Sequence, residues 1–86
     1  MKLKYDLVVR EIAGETFLVP IGEAARKFPG MFALNELGAF TYNKLEEADS
    51  IDELVDLICK EYDVSPEQAR QDTQEFIKEL TNMGIL

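Results

Sequence analysis

Apolar positions change rhythm partway along the chain. Up to residue 34 they come in short, strand-like runs; beyond it they recur at helical spacing. Leu7-Val-Val-Arg-Glu-Ile12 is short and rich in β-branched residues, which predicts a strand over 6–12. Ala13-Gly14-Glu15 predicts a tight turn, with Gly14 free to take positive φ. Thr16-Phe-Leu-Val-Pro-Ile21 is the returning strand, 16–21, and Pro20 has no N–H to give a ladder, so pairing must stop there or expose that side. Gly22 to Gly30, with two glycines and Pro29, predicts a loop. Met31-Phe-Ala-Leu34 is too short for a helix and is bounded by breakers, which predicts a third strand, 31–34, with an open edge.

From Asn35 the pattern is helical. Asn35 is a suitable N-cap, and Leu37, Phe40 and Leu45 give a ragged apolar face over 35–47. Ser50-Ile-Asp-Glu53 has the form of a capping box. Behind it Ile51, Leu54, Val55, Ile58 and Tyr62 fall on one stripe of a helix over 50–62. Ser65-Pro66 opens a last helix, 65–83, where the missing N–H of Pro66 costs nothing. Its stripe is Ala69, Thr73, Phe76, Ile77 and Leu80, and Gly84 predicts a left-handed cap that folds Ile85 back on Leu80. The fold class is α+β: a three-stranded antiparallel sheet followed by three helices, winged helix-turn-helix-like, in a single domain over 1–86.

Composition narrows what such a domain does. An 86-residue chain buries only about 60–65% of its unfolded surface, enough for one modest core. Histidine is absent, which removes the commonest general base and metal ligand. The single cysteine, Cys59, excludes an internal disulfide and fits a cytoplasmic setting. It lies on the apolar side of its helix and reads as a buried spacer rather than a nucleophile. The acid clusters Glu46-Glu47-Asp49 and Asp52-Glu53-Asp56 lack calcium-loop spacing and suit helix starts, and no phosphate-binding glycine loop is present. Neither a catalytic site, a metal site nor a cofactor is expected. No apolar run approaches the roughly 18 residues of a membrane span.

Net charge is −8 and unevenly placed. Residues 1–44 hold six bases and five acids, whereas 45–86 hold three bases and twelve acids. That bears on the alternative function, a winged-helix DNA-binding regulator of transcription. The would-be reading helix, 66–83, carries Arg70 and Lys78 against Glu67, Asp72, Glu75 and Glu79. It would repel phosphates, and a gel shift at low salt that retains no duplex disposes of this reading. The third strand offers a different role. Its main chain can pair with an extended peptide, provided a helix forms the opposite wall. The last helix supplies one, with Thr73, Ile77 and Leu80 as floor and Arg70, Gln74 and Lys78 as rim.

Leu-Val-Pro-Ile-Gly (18–22), Leu-Asn-Glu-Leu-Gly-Ala-Phe (34–40), Ile-Asp-Glu-Leu-Val (51–55), Glu-Tyr-Asp-Val (61–64) and Asp72 followed by Phe76, Leu80 and Gly84-Ile85-Leu86 resemble the PqqD-like family over roughly 7–86. The resemblance implies a non-catalytic chaperone that binds the leader of a ribosomally made precursor peptide. In that family the leader adds a strand to the third strand, packs on the last helix and is presented to a partner enzyme. The partner is a radical SAM (S-adenosylmethionine) enzyme or, in lasso-peptide pathways, a leader peptidase. Carried over, this puts the pairing edge on Met31, Phe32, Ala33 and Leu34 and the wall on Arg70, Thr73, Gln74, Ile77 and Leu80. Phe76 and Leu80 fit either groove or core. The long Gly22–Gly30 loop departs from the pattern of pyrroloquinoline quinone biosynthesis and favours a cousin serving another modified peptide. Open strand edges allow pairing between copies, so a monomer or a homodimer is expected.

Overall fold

A computed structural model describes all residues, 1–86. Three strands, β1 (Leu7–Ile12), β2 (Glu15–Pro20) and β3 (Phe32–Leu34), form one antiparallel sheet in the order β1-β2-β3. Helix α1 (Glu23–Lys27) lies between β2 and β3, and α2 (Glu36–Lys44), α3 (Ile51–Glu61) and α4 (Pro66–Asn82) follow. This is the α+β architecture read from the sequence, with one helix more.

The added helix corrects the expectation of a loop at Gly22–Gly30. Ala24, Ala25, Arg26 and Lys27 are strong helix formers. Gly22 at φ 59 turns the chain into the helix, Glu23 sits at its positive end, and Arg26 and Lys27 sit at its negative end. Ala24 is buried against the core, which anchors the single turn. Phe28 then stacks edge-on between Tyr5 and Phe32, at ring-centroid distances of 5.3 and 6.0 Å, and so fixes where β3 begins. Met31, expected in the strand, lies outside it and is exposed.

The hairpin is tighter than glycine alone explains. Ile12 pairs with Glu15 across a two-residue turn in which both Ala13 (φ 53) and Gly14 (φ 82) are left-handed. Ala13 bears the strain of a position that asparagine or glycine occupies more cheaply. β2 ends at Pro20, as its missing N–H requires.

Helix ends follow the sequence closely. The side chains of Asn35, Ser50 and Ser65 accept from the N–H groups of Gly38, Glu53 and Gln68. At Ser50 the box is skewed, because the Glu53 carboxylate accepts from Asp49 rather than from Ser50 itself. Gly84, at φ 82, closes α4 with paired bonds from Ile85 N–H to Leu80 O and from Gly84 N–H to Thr81 O, and Ile85 is wholly buried beside Leu80.

The core has two parts. The larger joins Leu7 and Leu18 of the sheet to Tyr42, Leu45, Leu54, Leu80 and Ile85. The smaller joins Val55, Ile58 and Ala69 between α3 and α4, with Phe40 and Tyr62 edge-to-face at its border. Neighbouring residues of α3, Leu54 and Val55, thus serve different clusters, so this helix ties the sheet-side core to α4. Cys59 packs half-buried against the smaller cluster, its Sγ 3.8 Å from the Val64 carbonyl, which is a spacer's place.

Tyr42 gives the fold a titratable core group. Its ring is buried and its hydroxyl faces the Leu7 carbonyl at 3.4 Å. Burial, then the charges of Glu46 and Asp6, push its pKa up from 10.0 to about 12. The folded state therefore keeps a proton that the unfolded chain loses above pH 10. Stability from this group is complete below pH 10 and is lost as pH rises toward 12, at no more than about 1.4 kcal/mol per pH unit. Urea midpoints measured from pH 9 to 12 should fall more steeply for the native chain than for Tyr42→Phe. Parallel curves would show that Tyr42 does not couple to folding.

Candidate functional site

β3 pairs with β2 through Leu34–Thr16, Ala33–Phe17 and Phe32–Leu18, and no strand lies on its other side. Phe32 and Leu34 are half-buried and lean on the larger core, while Ala33 is exposed. Beside this open edge a cleft of about 290 Å³ runs between the β3–α2 junction and α4. Its first wall is Ala33, Leu34, Asn35, Leu37, Gly38 and Thr41; its second is Asp72, Thr73, Glu75, Phe76 and Glu79. At the lower end of the ~300–1,000 Å³ of small-molecule pockets, it suits side chains of a chain lying across it rather than a whole enclosed ligand.

Gly38 shapes the floor. It sits in the first turn of α2 without a positive φ, so backbone strain does not call for glycine there. A Cβ would stand 3.1 Å from Asn35 Oδ1, 3.5 Å from Leu34 Cδ2 and 3.7 Å from Phe76 Cε1. The absent side chain therefore lets the N-cap, β3 and α4 close on one another at the floor of the cleft.

The expected wall residues divide. Ala33, Leu34 and Thr73 line the cleft. Thr73 is buried and its hydroxyl donates to the Ala69 carbonyl at 2.7 Å, so it contributes shape. Arg70, Gln74, Ile77 and Leu80 are not among the lining residues. Arg70 reaches across to Asp52 of α3 at 2.5 Å. Ile77 is half-buried against the larger core and Leu80 is part of it. Met31 and Phe32 lie at the start of the edge, outside the cleft.

The rim has the opposite sign from the expected one. Asp72, Glu75 and Glu79 take the places that the sequence reading gave to Arg70, Gln74 and Lys78. The signal was present, since 72, 75, 76 and 79 fall at offsets 0, 3, 4 and 7, one helical stripe. It runs beside the apolar stripe and only the position of β3 shows which of the two meets the cleft. The two ion pairs, Lys44–Glu47 and Arg70–Asp52, leave these three carboxylates without a cation of their own chain. Asp72 accepts a hydrogen bond from Gln68 Nε2 at 2.9 Å.

No buried side-chain nitrogen or oxygen lacks a partner, and no three His, Cys, Asp or Glu side chains converge as metal ligands. What the site offers is an unpaired strand edge, an apolar patch of Leu34, Leu37 and Phe76, and three carboxylates. No helix is long and apolar enough to cross a membrane.

Two solved structures share the fold. TbiB1 in complex with the TbiA(beta) leader peptide is 29% identical, with a TM-score of 0.72 over 100% of this chain and 94% of that one. A lasso peptide synthetase B1 complexed with the leader peptide is 18% identical, with a TM-score of 0.70 over 98% and 93%. No curated protein matches the sequence. The profile of the family described as coenzyme PQQ synthesis protein D (PqqD) matches residues 10–86, and the chain belongs to that family.

Proposed function

We propose that this protein binds the leader of a ribosomally made precursor peptide by strand addition to β3 and presents it to a modifying enzyme. The observation that carries this reading is the coincidence of the open β3 edge with the cleft against α4. An extended peptide draws affinity from main-chain pairing and selectivity from side-chain pockets. β3 offers both, an open edge and the cleft beside it. The leader-bound state of the two structural neighbours supports the same reading. The protein acts as an adaptor without chemistry of its own, in the cytoplasm, and its partner is a radical SAM enzyme or a leader peptidase. Of the residues expected at the site, Ala33 and Leu34 meet the peptide directly and Phe76 joins them, while buried Thr73 shapes the wall behind them. Met31 and Phe32 extend the pairing edge; Arg70 through Asp52, and Ile77 and Leu80 through the core, hold α4 from outside the cleft, and Gln74 is exposed.

Titration with the leader of a precursor encoded beside this protein tests the reading. Backbone amide shifts should concentrate in residues 31–38 and 69–80. Ala33→Pro, which deletes a ladder donor in β3, should weaken binding more than Lys60→Ala, with both variants folded. Equal calorimetric affinities for the two would sink strand addition.

A further inference from the structure

We infer that the cleft selects a basic-apolar segment: a peptide placing an aliphatic or aromatic side chain against Leu34, Leu37 and Phe76 and a lysine or arginine against Asp72, Glu75 and Glu79. This deepens the leader-binding reading and rests on it. The cleft has two chemically distinct sides. Leu34, Leu37 and Phe76 line one side of the cleft, drawn together around Gly38, which has no Cβ to keep them apart. The three carboxylates stand on α4, Asp72 half-buried and Glu75 and Glu79 exposed. From Asp72 to Glu79 is about 10 Å along the helix axis at 1.5 Å per residue. Same-side residues of an extended peptide repeat every ~6.7 Å, so two of its side chains fall within that run.

Charge then decides the occupant. Three carboxylates with no cation of their own chain repel an acidic peptide and attract a basic one, and the half-buried setting of Asp72 reduces screening there. Like-charge juxtaposition excludes wrong partners more strongly than surface ion pairs reward right ones. The apolar seat fixes register, and the acids set the sign of the neighbouring residue.

Selection from a phage-displayed library of random 12-residue peptides tests this. Three proteins serve as bait: the native chain, the variant Asp72→Asn/Glu75→Gln/Glu79→Gln, and Glu11→Gln/Glu15→Gln/Glu23→Gln. The two variants have the same net charge, −5 instead of −8, and the second alters only exposed acids that do not line the cleft. Lysine or arginine next to an apolar residue should be enriched on the native chain and on the distal variant. It should be lost on the cleft variant, which binds the selected peptides about 10-fold more weakly. Equal enrichment on all three proteins, or none on the native chain, overturns the inference. Amide shifts separate it from its foundation. Selected peptides that perturb residues 33–38 and 72–79 without a basic preference refute the charge selection alone. Peptides that leave those amides unmoved refute leader binding in the cleft and this inference together.

Discussion

Replacing Leu80 by alanine is expected to lower the stability of the domain by about 3 kcal/mol, within the 2–5 kcal/mol usual for such core deletions. Leu80 is 2% exposed and packs with Leu7, Leu18, Leu45, Leu54 and Ile85. Its carbonyl also receives the Ile85 N–H that closes α4. A domain of 86 residues has about 4–13 kcal/mol in total, so the loss is a large share. The urea midpoint should fall with the slope unchanged, while the folded fraction binds peptide with near-native affinity. The opposite pattern, native stability with lost affinity, would return Leu80 to the groove.

Filling the floor of the cleft is the second large effect. Gly38→Leu adds a side chain to a helix whose backbone accepts it, between Leu34 and Phe76. Leucine gains helix propensity over glycine by somewhat under 1 kcal/mol, which offsets the crowding of the Asn35 cap. Stability should therefore stay within about 1 kcal/mol of the native chain, while leader affinity falls at least about 10-fold. A folded Gly38→Leu variant that binds the leader undiminished would place the peptide elsewhere on the molecule.

These two positions also show how far the sequence could be read. Caps and stripes are local, and they were legible: Asn35, Ser50, Ser65 and Gly84 do what their types and spacing imply. The Leu54-Val55-Ile58 stripe is buried as its period requires. Helix α1 was hidden because the flanking Gly22 and the Pro29-Gly30 pair look like loop, and four good helix formers between them cannot outvote those breakers in a short window. The choice between Leu80 as core and Leu80 as groove depends on how far α4 is rotated about its axis against β3. The packing of α4 against α3 and the two core clusters fixes that rotation, and no local pattern encodes it. For the same reason the sequence showed an acidic stripe on α4 without showing that the cleft uses it, and Gly38 looked like an ordinary helical glycine.

Under the proposed strand addition, the brevity of β3 governs how long a peptide stays. A three-residue template presents only about two outward ladder bonds, each worth roughly 0.5–1.5 kcal/mol net. Main-chain pairing, which is blind to sequence, therefore contributes too little to hold a chain by itself. Residence time is left to the side chains in the cleft and on the acid rim, and dissociation rate is where related complexes differ most. A strand this short lets a mismatched peptide go quickly, and it surrenders a matched one once a second protein competes for the same few contacts.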